Sequence, residues 1–118
     1  MSIVFKDLKG MVFKSVVGKV GDGEIFFTTQ KGRKFRLYHD QDCCEDVRVD
    51  DICGELNDLT DAKILMAFED THEGEGRYGD SSTWTFYNIA TSKGHVTIKW
   101  LGSSNGYYSE RVDFEEVK

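Results

Sequence analysis

A chain of 118 residues with a formal charge of −6 and a pI near 5.0 can bury one core, and it is too acidic for nonspecific attraction to nucleic-acid phosphate to be its main activity. With 39% hydrophobic and 13% aromatic residues a disordered chain is excluded, and 12 glycines without a proline suit an all-β protein rich in turns. The start, Met1 to Asp7, has no basic run and no long apolar stretch, and Cys43, Cys44 and Cys53 cannot all pair; the expectation is no leader, no membrane span, and free thiols in a reducing cytoplasm.

Residues 1–10 read as a short helix or an edge segment. Met11 to Val17 is apolar and β-branched, Gly21-Asp22-Gly23 is a turn, and Glu24 to Gln30 is a second strand. Lys31-Gly32 turns into Lys34–Tyr38, where Phe35 and Leu37 share a face. The basic run Lys31 to Arg36 is read as a solvated hairpin turn. Short connections make this a meander of antiparallel neighbours.

Val47 and Val49 alternate with Arg48 and Asp50, which predicts another strand. Asp50 or Asp51 then reads as the N-cap of a one- or two-turn helix through Ile52, Leu56 and Leu59, weakened by Gly54 and ending near Thr60. Lys63 to Asp70 is expected as a strand with Ile64, Met66 and Phe68 on one side, and Thr71 to Ser82 as a glycine-rich loop. Three strands close the chain: Thr83–Thr91, His95–Leu101 with Val96, Ile98 and Trp100 alternating, and Tyr107–Phe114. The fold expected is one mainly β domain over residues 1–118. Its antiparallel meanders form a curved sheet or small barrel of seven or eight strands with one short helix.

Two dense stretches stand out. Tyr38-His39-Asp40-Gln41-Asp42-Cys43-Cys44-Glu45 joins two strands, and Ser104-Asn105-Gly106-Tyr107-Tyr108-Ser109-Glu110 joins two more. His39 with Cys43, Cys44 and Cys53 could bind zinc, but adjacent strand residues point to opposite faces and no second CxxC or HxxxH completes a tetrahedron. A cysteine nucleophile beside His39 is disfavoured by the carboxylates around it, which would raise a thiol pKa. Glu45 and Glu110 could act as a carboxylate pair, and the chain has neither a phosphate-binding GxxxxGK[ST] loop nor a GxGxxG turn. Ligand binding fits better. Trp84, Trp100, Tyr107 and Tyr108 offer flat faces, while His39, Gln41, Asn105 and Ser109 offer donors and acceptors. Ser-Asn-Gly also reads simply as a hairpin turn.

These stretches, with Asp51 to Leu59 and Ser82 to Tyr87, make the chain similar to a family of small uncharacterised proteins encoded mostly by tailed phages and prophages. The resemblance spans about residues 30–114 and rests on the His-x-Gln-Asp-Cys-Cys-Glu and Ser-Asn-Gly-Tyr-Tyr-Ser-Glu strings. Relatives place a proline shortly after the Asp58-Leu59 pair, where this chain has Asp61-Ala62-Lys63. The resemblance implies a phage setting in the cytoplasm of an infected bacterium, where small accessory proteins block a host factor or sequester a defence signal.

The resulting expectation is a non-enzymatic binding protein without metal or cofactor. A nucleotide-like small molecule would be held by His39, Gln41, Asp42, Cys44, Glu45, Trp84, Asn105, Tyr107, Tyr108 and Glu110, with Arg33, Arg36 or Arg111 offsetting an anionic ligand. The rivals are an acidic inhibitor of a host defence enzyme and a small metal-dependent hydrolase. Neither nucleic acid nor membrane is an expected partner, and exposed edge strands would allow a homodimer.

Overall fold

The computed structural model describes residues 3–39, 45–75, 81–104 and 111–117. These residues hold eight strands: β1 (Phe13–Val17), β2 (Glu24–Thr29), β3 (Lys34–Tyr38), β4 (Glu45–Cys53), β5 (Met66–Glu75), β6 (Ser81–Thr91), β7 (Gly94–Ser104) and β8 (Asp113–Val117). They form two antiparallel four-stranded sheets, ordered β1-β2-β3-β8 and β4-β7-β6-β5, and neither closes into a barrel. The two meanders are therefore separate layers. The last strand leaves the second meander and pairs with β3, Leu37 opposite Phe114.

Alternation builds the interface between the layers. Ile25, Phe27, Phe35 and Leu37 of the short sheet and Val47, Val49, Tyr87, Ile89, Val96, Ile98 and Trp100 of the long sheet are fully buried. Each such side chain contributes about 1.5–3 kcal/mol of transfer free energy. The amino-terminal helix is a single 3₁₀ turn, Phe5–Leu8, which seals the sandwich. The Phe5 ring meets Tyr87 at 4.7 Å, Phe114 at 5.6 Å and Phe27 at 6.3 Å between centroids. The β2–β3 turn needs a glycine: Gly32 has φ +91°, and its N–H donates to the Thr29 carbonyl at 3.0 Å.

Several segments differ from the sequence reading. Asp50 and Asp51 do not cap a helix. β4 runs on to Cys53 through a bulge between Val49 and Asp51, and Gly54 (φ +102°) turns the chain into a 3₁₀ turn at Leu56–Leu59. The bulge accompanies docking of the β1–β2 turn: Gly21 donates to the Val49 carbonyl at 2.8 Å, and Val49 donates to the Asp22 carbonyl at 2.9 Å. No α-helix occurs among the described residues. Most of the expected Thr71–Ser82 loop is strand, because β5 continues to Glu75 and β6 starts at Ser81. Ile64 is buried, yet Met66 and Phe68 lie on the outer face, with Ala67 inside. The last strand starts at Asp113, and Tyr107–Glu110 lie outside the described residues.

No helix among the described residues is long and apolar enough to cross a membrane.

Candidate functional site at one end of the sandwich

Strand length decides where a site can form. The strands of the long sheet have 9 to 11 residues and those of the short sheet 5 or 6. At about 3.3 Å per residue the strands of the long sheet are roughly 10–15 Å longer than those of its partner. Toward the strand ends at Glu45 and Glu75 the inner face of the long sheet turns from apolar to polar. Thr71 stands opposite Thr85, Glu73 opposite Thr83, and Gly102 and Ser104 follow Trp100 along β7.

The strand ends here form one row, Glu45, Ser104, Ser81 and Glu75, each in register with the next. Residues 40–44, 76–80 and 105–110 all connect to this row. The two dense stretches are also tied at their other ends. Tyr38 is in register with Asp113, and His39 Nδ1 donates to the Arg111 carbonyl at 2.7 Å. A carbonyl only accepts, so that contact puts the His39 proton on Nδ1. His39 is buried, with 9% of its surface exposed. The stretches thus run between the same two sheets, anchored to each other where they leave one and where they enter the other.

Of the residues expected to bind, Gln41, Asp42, Cys44, Asn105, Tyr107, Tyr108 and Glu110 lie outside the described residues. Glu45 begins β4 by pairing with Ser104. Trp84 is on the outer face of the long sheet, half-buried between His72 and Leu101 across the strands. His39, by contrast, follows β3 of the short sheet and is held to Arg111. Trp100 is fully buried in the core. Arg33 is engaged by Glu116 at 3.0 Å, and Arg36 by Glu115 at 2.6 Å and Glu24 at 3.3 Å.

A cleft of ≈ 500 Å³ opens beside the row, between the inner face of β5 and β6, the segment before the first 3₁₀ turn, and residues 111–114. Its apolar wall is Ile3, Val4, Phe5 and Phe114; its polar wall includes Thr71, Thr83, Thr85, Glu69, Glu73 and Asp113, with Arg111 as the cation. Arg111 is 83% exposed and lies 3.8 Å from Asp113, a pair worth little in water. The Tyr87 phenol is pushed well above its ordinary range by burial first and by the Glu69 and Asp113 carboxylates next. Among the described residues its hydroxyl has no acceptor in hydrogen-bonding geometry; the carboxylate that acts on it most is Glu69, opposite on β5.

Among the described residues no three His, Cys, Asp or Glu side chains are grouped to hold a metal ion. Cys53 is exposed, with Sγ 3.7 Å from an Asp51 carboxylate oxygen. The acidic wall at Glu69, Glu73 and Asp113 was missed from the sequence. Its only signal is polar alternation, Glu69-Thr71-Glu73 against Thr83-Thr85, which acquires meaning once the pairing of β5 with β6 is known.

No curated protein and no solved structure matches the chain. Residues 3–114 match the family described as a domain of unknown function (DUF7448), and the chain belongs to it.

Proposed function

We propose that this chain is a non-enzymatic binding protein that captures its ligand at the end of the sandwich closed by the Glu45–Ser104–Ser81–Glu75 row. The supporting observation is the double tie, His39 to Arg111 at one end of the dense stretches and Glu45 to Ser104 at the other. Segments anchored to each other at both ends are suited to line one concavity. In this reading the ligand is a nucleotide-like small molecule: Tyr107 or Tyr108 stacks on its ring, and His39, Gln41, Asn105 and Glu110 orient its polar edges. Trp84, on the other face, takes no part. In the phage setting implied by the sequence resemblance, the ligand is a defence signal sequestered in the host cytoplasm. Calorimetry against a panel of nucleosides and cyclic nucleotides tests this. Heat with wild type that is lost in Asn105→Ala supports the reading, and no heat with any of them removes it.

One observation favours a second reading, an acidic inhibitor of a host enzyme. The described cleft wall has Glu69, Glu73 and Asp113 against Arg111 alone, a balance that suits a basic protein surface better than a phosphate. Capture of a basic host protein whose release rises steeply with salt supports that reading; a complex indifferent to salt counts against it.

A further inference from the structure

The long sheet has two outer edges, and they differ. The β4 edge is occupied at Val49 by the β1–β2 turn and is interrupted by the bulge beside Asp50. β5 has no bulge; it is bordered only toward its start, where Gly10 donates to the Ile64 carbonyl and Ile64 to the Met11 carbonyl, each at 2.8 Å, and where the 3₁₀ turn Phe5–Leu8 packs against it. Its 10 residues pair with β6 without a register shift, and among the described residues nothing hydrogen-bonds the backbone of Met66–Glu75 from the other side. About five residues of such a strand turn their N–H and C=O groups outward. Edges of this kind are normally blunted by short length, proline, a bulge, a covering segment or charged side chains, lysine above all; on β5 the device is acidic charge alone, which repels a like edge and admits a basic one. β5 is long and regular, with no lysine, arginine or proline; its charged residues are Glu69, Asp70, Glu73 and Glu75, joined by His72, which contacts Asp70 at 3.1 Å.

The two sides of this strand carry different chemistry. Glu69, Thr71 and Glu73 line the cleft, whereas Phe68, 45% exposed, stands with Asp70 and His72 on the outer face. We infer that β5 is a docking strand: an extended, lysine- or arginine-rich segment of a partner protein adds to the long sheet beside it. Backbone pairing supplies affinity, and alternate basic side chains reach Glu69 and Glu73 in the cleft or pass Phe68 and Asp70 outside. A second copy paired β5 to β5 is a poor occupant. It would bring the same four acidic residues and no lysine or arginine to the junction, on a chain of net charge −6. The inference rests on the second reading above and names its surface and its mode of contact.

The test uses the full chain and two labelled peptides, one alternating lysine with threonine, the other identical but N-methylated at every second amide. Fluorescence anisotropy at low salt should show binding of the first and not the second. Glu73→Lys should weaken the first peptide about fivefold to tenfold, while Glu55→Lys, an equal charge change away from β5, leaves it within about twofold. Equal binding of both peptides with the Glu73 effect retained overturns the docking strand and leaves recognition of a basic partner standing. No binding of the first peptide, or no difference between Glu73→Lys and Glu55→Lys, overturns both.

Discussion

Among the described residues Tyr87 Oη and Trp100 Nε1 are buried donors with no acceptor in hydrogen-bonding geometry, the Glu69 carboxylate standing nearest the former. A buried hydroxyl with no acceptor is a cost of about 1–3 kcal/mol that phenylalanine would not carry. Tyr87→Phe is therefore expected to leave stability unchanged or raise it by up to about 1 kcal/mol in urea unfolding at neutral pH; a loss above that would mean the hydroxyl has a partner. The same phenol sets an alkaline limit. Unfolded, it ionises near 10, and folded it holds its proton to higher pH because it is buried and faces Glu69 and Asp113. The folded state thus binds this proton more tightly. Its contribution is full below pH 10 and is lost as pH climbs above that value, so stability should fall there, less steeply in Tyr87→Phe.

Gly54 is the other position where one residue decides local structure. A Cβ there would lie 2.6 Å from the His95 carbonyl oxygen at a φ of +102°. Gly54→Ala is expected to cost about 2–4 kcal/mol, read as a shifted denaturation midpoint at unchanged slope.

At the scale of elements, the first 3₁₀ turn acts as a plug. Phe5 is 4% exposed among Tyr87, Phe114 and Phe27, so Phe5→Ala should destabilise by about 3–5 kcal/mol and open the apolar wall of the cleft. Denaturant unfolding measures the first effect, and binding of an environment-sensitive dye measures the second. Elements whose alternation is set by one buried face were legible in the sequence: Ile25 with Phe27, Phe35 with Leu37, and Val96, Ile98 with Trp100 all face inward as their spacing required. Elements whose form depends on a distant partner were not. The Val49 bulge reflects a turn docking from residues 21 and 22, and without it Asp50 and Asp51 resemble a helix cap. The alternation also resets between Ile64 and Ala67. That reset leaves Phe68 outside, although its parity with Ile64 pointed inward. Glycines made Thr71–Ser82 resemble a loop, but pairing with β6 holds Thr71–Glu75 extended.

For the whole molecule, the governing fact is the mismatch between a short sheet and a long one. The longer strands carry a polar inner face, Thr71, Glu73, Thr83 and Thr85, and their ends lead into the connections that the sequence singled out. The two dense stretches were conspicuous by composition, and the meeting of their anchors, His39 with Arg111 and Glu45 with Ser104, follows from a topology, β3 with β8 and β4 with β7, that no local pattern encodes. The most direct test of the account is an amide shift map of the full chain, titrated separately with the nucleotide panel and the lysine-rich peptide. The expected result is perturbation of Glu45, Ser81, Ser104 and Arg111 together in the first titration and of Met66–Glu75 in the second. Perturbations gathered at the opposite end around Lys31 and Gly32, or no perturbation by either titrant, would contradict it.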